Sequence, residues 1–275
     1  MIVFTDKTGQ LGNQLFEFST FIANARQHNS KLINFYFNDY GHFFQGYTQK
    51  DPLIVTRTGR ATLDKILRNL LRAPFTLKLF TAFNRVLQGT GSAQDISTFN
   101  STQKVFLKNG SWFTNFEQFY HHADFIKSYF SLLPEREKQI SQHFNRIKKN
   151  YDVVIGLHIR RGDYATFLGG KYHYSDQIYA AKIREAIQVF PGKKVGELVC
   201  SNEIIDASHF PNIPLHKGLG HFIDDMYTLA KCDYILGPPS TYTMWASFYG
   251  SAPLYKIHEP EEPIRLEKFS MDYGY

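Results

Sequence analysis

Two patterns of apolar residues alternate along this chain: short β-branched or aromatic runs, and longer stretches with a helical repeat. Residues 2–4 (Ile-Val-Phe) read as a first strand, followed by a glycine turn at 7–12. From there to His28 the apolar positions Leu15, Phe18, Ile22 and Ala25 recur at helical spacing. Further strands are expected at 31–37, 104–107, 153–159, 195–200 and 234–236, with a short one at 213–218. Helical spacing is expected at 116–129, 135–149, 175–190, 222–231 and 240–249, and residues 38–56 read as loop. Strands that alternate with helices make an α/β protein with two Rossmann-like halves. The boundary is placed at Asn150-Tyr151, giving units 1–150 and 151–275.

At 275 residues the chain is one large domain or two small ones. The 25 Phe and 17 Tyr are mostly core material. The net charge of +6 suits an anionic partner, but the excess is local. Residues 57–85 carry seven basic side chains against Asp64 alone. Within them, 60–88 form a basic amphipathic stretch interrupted at Pro74, with Leu63, Ile66, Leu67, Leu70 and Leu71 on one face and Lys65, Arg68 and Arg72 on another. Such a stretch is either a solvated helix face or a contact with anionic lipid. Cys200 and Cys232 lie far apart without a His pair, so neither a zinc site nor a disulfide is indicated. No signal peptide or transmembrane run is visible, which leads us to expect a cytoplasmic protein, soluble or peripheral on the inner face of the plasma membrane.

The candidate chemistry centres on residues 153–164. The buried strand there ends in His158, Arg160, Arg161 and Asp163, with Gly162 stopping it. Ligands of open α/β sheets sit outside the carboxyl ends of strands. Two adjacent arginines point to opposite faces of an extended segment, so one can grip an anion while the other is held by the protein, with Asp163 one possible holder. Guanidinium forks match phosphate oxygens in pairs. Polar residues recur at other strand ends. Asn202 and Glu203 follow the strand at 195–200, and Ser240 or Thr241 can cap the helix that follows 234–236. Asp224 and Asp225 fall in the first turn of the helix at 222. Gly9 and Gly12 allow backbone approach at the first helix, although the run is neither Gly-x-Gly-x-x-Gly nor a P-loop. Two anion sites in the second half favour a nucleotide diphosphate.

His158-Ile-Arg-Arg-Gly-Asp-Tyr164 resembles the His-x-Arg-Arg-x-Asp-Tyr motif of the α-1,2-fucosyltransferases, glycosyltransferase family 11, and is similar to the motif of α-1,6- and protein O-fucosyltransferases. Gly9-Gln-Leu-Gly-Asn-Gln-Leu-Phe16 looks like that family's N-terminal signature. Ser201-Asn-Glu stands where the family usually has Ser-Asp-Asp, and the segments at 224–226 and 240–245 resemble its acidic helix and its Ser-Ser-Phe-Ser-Trp-Trp block. Pro238-Pro239 and Met244 depart from that last pattern. The resemblance implies a GT-B-like fold, with two Rossmann-like domains facing across a cleft, an acceptor-side N-terminal half and a C-terminal half that holds GDP-fucose. It implies inverting transfer of fucose to the 2-OH of a galactoside in a surface glycan, with an oligosaccharide or lipid-linked acceptor and no cofactor or metal.

By position, Arg160 or Arg161 would bind the β-phosphate, while His158 and Asp163 orient them or touch the nucleotide. Gly12, Asn13 and Gln14 would face the donor, Ser240 and Thr241 would hold phosphate oxygens, and Asn202, Glu203 and Asp225 are candidates for ribose and guanine. Asp163 and Glu17 are the acids considered as general base. The rival readings are a GT-B enzyme using another nucleotide sugar, a nucleic-acid-binding protein and a membrane-binding protein. No nucleic-acid motif is present, so nucleic acid is not expected as a partner.

Overall fold

The structure is a computed structural model that describes residues 1–73, 75, 78, 86–89, 105–108 and 116–271. The chain forms two compact units, Met1–Leu133 and Pro134–Tyr275.

The first unit holds β1 (Ile2–Phe4), α1 (Leu11–Gln27), β2 (Leu32–Ile33), β3 (Ile54–Val55), α2 (Ala61–Arg72), β4 (Val86–Gly89), β5 (Val105–Lys108), α3 (Phe116–His121) and α4 (Ala123–Tyr129). Its strands lie parallel in the order β3-β2-β1-β5-β4. The core is aromatic. Phe4 of β1 meets Phe18 and Phe21 of α1 edge-on, and Phe18 also touches Phe37, Tyr129 and Phe130. Edge-on contacts suit the ring quadrupoles, which explains how so many aromatics fit one core.

Three local expectations change here. The run 31–37 is a strand only at β2, because the Asn34 side chain accepts from Tyr36 N at 3.0 Å and turns Phe35–Phe37 into a 3-10 helix. The stretch read as loop contains β3, a two-residue strand too short to show periodicity. Residues 86–88, read as the end of the basic amphipathic stretch, form β4 together with Gly89. Residues 109–116 (Asn-Gly-Ser-Trp-Phe-Thr-Asn-Phe) read as a loop rich in aromatics and amides, and all but Phe116, which opens α3, lie outside the described residues.

The second unit holds α5 (Pro134–Lys148), β6 (Val153–Ile159), α6 (Asp176–Gln188), β7 (Val195–Ser201), β8 (Leu215–Lys217), α7 (Phe222–Leu229), β9 (Tyr234–Gly237), α8 (Thr241–Gly250) and β10 (Leu254–Lys256). Its sheet is parallel in the order β10-β9-β6-β7-β8, so β6 is central. Counted within the unit this is the 3-2-1-4-5 arrangement of a doubly wound sheet. The units divide at Leu133/Pro134 rather than at Asn150. The reason lies in α5, which is tied to the second unit: Arg136 pairs with Asp224 at 2.5 Å, Glu137 with Lys231 at 2.7 Å and Lys148 with Asp233 at 2.6 Å. Cys200 and Cys232 are buried free thiols.

One acid sits inside this core. Glu197 of β7 lies in register between Ile155 and Leu215, is 1% exposed, and burial pushes its pKa up to about 7. The folded state therefore holds this proton more tightly than the unfolded chain, whose value is near 4.5. Stability is greatest below the unfolded value and is lost as pH rises towards about 7. Glu197→Gln should remove that slope, worth roughly 1–3 kcal/mol, in denaturant melts followed from acid to neutral pH. Parallel curves for the two proteins would contradict it.

Candidate functional site

The chain leaves β6 for β7 on one side and returns through β9 on the other. The crevice outside the carboxyl ends of β6 and β9 is thus the topological switch point, where ligands of such sheets bind. The end of β6 delivers His158, Arg160 and Arg161 to it, and the end of β9 delivers Gly237-Pro-Pro-Ser240 and the N-terminus of α8.

The two arginines have different surroundings. Arg161 is bound into the protein: its guanidinium donates to the Tyr174 carbonyl and pairs with Asp176 at the start of α6, lying 5.5 Å from the Tyr179 ring centroid. Its backbone N–H donates to Asn202 Oδ1 at 2.9 Å. Arg160 pairs instead with Asp163, three residues on, at 2.7 Å, and lies over the Tyr164 ring at 5.4 Å. Asp163 is half exposed, whereas Asp176 is largely buried. The alternation across the strand end holds, but the holding acid is Asp176, with Asp163 on the other arginine. Gly162 turns the chain at φ +63°, and an added Cβ would lie 3.0 Å from the Asn202 amide.

His158 is buried, and its ring stacks on Tyr242 at 4.7 Å. Burial first and the Arg160 charge second push its pKa down to about 3, so the imidazole is neutral. Its Nδ1 is a buried atom with no hydrogen-bond partner among the described residues. Ser240 caps α8, its hydroxyl accepting from Tyr242 N at 3.2 Å, and Thr241 is half-buried beside it. The Tyr164 hydroxyl donates to the Pro239 carbonyl at 2.6 Å and fastens the arginine loop to the Ser240 loop. A guanidinium, a helix N-terminus and a neutral imidazole are thereby assembled at one sheet edge, a suitable arrangement for a phosphate group.

Not every expected residue is placed alike. Glu203 is exposed after β7. Asp225 is buried, accepts from Gly220 N at 3.0 Å and holds the loop before α7 in shape. Burial raises its pKa, against the pull of the Gly220 and Leu219 amides. Gly12, Asn13 and Gln14 lie in the first turn of α1 in the other unit. Gln14 Nε2 donates to the Gly9 carbonyl at 2.9 Å. Gly9 has φ +57°, a conformation that favours glycine, and a Cβ there would meet the Asn13 side chain. Glu17 is 2% exposed and ion-paired with the fully buried Lys108 at 2.7 Å. Lys108 also reaches Thr8 Oγ1 at 2.7 Å and Asp6 at 3.2 Å. Sequence reading missed Asp176, Tyr174, Tyr242 and Lys108. Only Asp176 carried a signal, a carboxylate directly after the residue that caps a helix. Among the described residues no group of three or more His, Cys, Asp or Glu side chains is arranged to hold a metal ion.

The model of Glycosyl transferase family 11 matches residues 86–260, well over half of the chain. The chain belongs to glycosyl transferase family 11. The match includes the whole switch-point site of this family 11 protein. No curated protein sequence matches it. Among solved structures it is similar to an Arabidopsis thaliana FUT1 mutant in complex with GDP, at 12% identity and a TM-score of 0.61 over 95% of this chain and 72% of that one. It is also similar to fucosyltransferase NodZ from Bradyrhizobium, at 14% identity and a TM-score of 0.60 over 93% of this chain and 95% of that one. NodZ alpha-1,6-fucosyltransferase soaked with GDP-fucose gives 14% and 0.58 over 93% and 94%. At these identities the likeness establishes the fold: the family 11 chain is an α/β, GT-B-like glycosyltransferase.

Proposed function

We propose that this protein transfers L-fucose from GDP-β-L-fucose to the 2-OH of a galactoside in a surface glycan, with inversion to an α-1,2 linkage and without a metal. The observation that carries the reading is the unequal binding of the two arginines. Arg161 is committed to Asp176 and Tyr174, while Arg160 has a half-exposed partner that a diphosphate can displace. In this scheme the acceptor oxygen attacks the anomeric carbon as its bond to the β-phosphate oxygen breaks, and the electron pair leaves with GDP. Arg160 and the α8 N-terminus neutralise the charge that develops there. Of the two acids considered for the acceptor proton, Asp163 is half exposed, whereas Glu17 is buried under Lys108. That favours Asp163. After β7, Asn202 and Glu203 complete the donor contacts of the second unit in this scheme.

Family membership and the GDP and GDP-fucose complexes of the similar structures support this donor. The α-1,6 activity of NodZ means that the fold leaves the linkage open. The test is a donor-hydrolysis screen across GDP-fucose, GDP-mannose and UDP-galactose. GDP-fucose should be consumed in clear preference. Preference for a UDP-sugar would replace the reading with transfer from another nucleotide sugar.

A further inference from the structure

The basic helix α2 shows an unusual division of its surface. Its inward side is fixed. Asp64 is buried and accepts from both the amide and the hydroxyl of Thr58 at 2.7 Å, and Leu71 packs against the cluster of Val3, Val105 and Leu107. The Tyr36 hydroxyl lies 3.0 Å from the Arg68 carbonyl and 2.8 Å from that of Thr5. The apolar arc does not end at this contact. Leu63, Ile66 and Leu70 lie three and four residues apart on one stripe, and they are 38%, 49% and 50% exposed. Phe75, just beyond the helix, is 74% exposed. The charges that the helix and its approach expose are basic, and Arg68 on another face lies 3.9 Å from the half-exposed Asp39. Arg57, Arg60, Lys65 and Arg72 are exposed, and the only acid between residues 57 and 72 is the buried Asp64.

We propose that α2 lies in the plane of an anionic lipid surface, with Leu63, Ile66 and Leu70 among the acyl chains and Arg60, Lys65 and Arg72 at the lipid phosphates. An exposed apolar stripe on a helix of about 18 Å, with basic side chains on another face, has the chemistry of an interfacial amphipathic helix. A second copy of the chain fits less well, because it adds like charge to a basic helix, whereas an anionic surface complements that charge. Among the described residues no helix is long and apolar enough to cross a membrane. The inference does not depend on which sugar is transferred.

Flotation of the full chain with vesicles tests it, independently of catalysis. The protein should float with vesicles of phosphatidylcholine plus phosphatidylglycerol, float far less with phosphatidylcholine alone, and lose the anionic preference in high salt. Lys65→Gln with Arg72→Gln should weaken partitioning about thirtyfold. Ile66→Asp with Leu70→Asp, at exposed positions, should abolish it while the thermal melt stays unchanged. Wild-type protein that remains unbound to anionic vesicles overturns the proposal. So does flotation that both variants leave intact, or a wild-type dimer in sedimentation that Ile66→Asp with Leu70→Asp turns into monomer.

Discussion

Arg160→Ala should bind GDP ten- to a hundredfold more weakly than wild type and melt at nearly the same temperature. A charge-assisted hydrogen bond to a phosphate is worth about 1.5–3 kcal/mol, which sets that range. The stability change is small because the pair lost is Arg160 with Asp163, whose carboxylate is half exposed. Such pairs contribute about 0–1 kcal/mol. Arg161→Ala should show the opposite balance. It leaves the largely buried Asp176 without its guanidinium and the Tyr174 carbonyl without its donor. Breaking a buried pair from one side costs about 3–5 kcal/mol. His209 Nδ1 lies 3.0 Å from the other oxygen of Asp176 and recovers part of this when protonated. Calorimetry with GDP and a denaturant melt on both variants give the comparison. Equal loss of GDP affinity at unchanged stability in both would show that the arginines share one role.

Lys108→Met should destabilise the first unit by about 3–5 kcal/mol. The lysine is fully buried at the end of β5, and Glu17 of α1 beside it is nearly so. Burial raises the Glu17 pKa above its ordinary 4.5, while the Lys108 charge and hydrogen bond pull it down. Without the lysine only the raising influence of burial and of Asp6 remains, apart from the hydrogen bond with Thr8. The folded variant then binds the Glu17 proton more tightly than the unfolded chain does. Its stability should therefore fall as pH rises from the unfolded value near 4.5, more steeply than that of wild type. Glu17→Gln combined with Lys108→Met should regain most of the loss, because no buried charge is left uncompensated. Denaturant melts of the two single variants and the double variant at acid and neutral pH measure this. A single variant as stable as wild type would contradict the account of the pair.

The pattern of the chain carried the second unit well. Val153–Ile159 is apolar, β-branched and flanked by turn residues, and it is the central strand. The Ser175 and Ser240 caps stand where the polar residues before each helix put them. The first unit was harder to read. β2 and β3 have two residues each and are held by pairing with neighbours, a tertiary effect that leaves no local period. The unit boundary was misplaced because α5 reads as a plain charged helix, and only its ion pairs with residues about ninety positions on show which sheet it joins. At the site, the strand-end arginines were visible and their opposite orientations followed from the strand period. Which arginine is tied down was not visible, since the deciding acid lies fifteen residues away and across a loop. Lys108 and Glu17 gave no sign of their pairing, as each sits alone in an apolar run.

The most direct measurement is transfer itself: the protein with GDP-fucose and lactose, the product examined by NMR. The account predicts release of GDP and a trisaccharide with fucose α-linked to O2 of galactose, and with Arg160→Ala the product should form at a small fraction of the wild-type rate. No fucosylated product, with GDP-fucose neither bound nor consumed by folded protein, would contradict it.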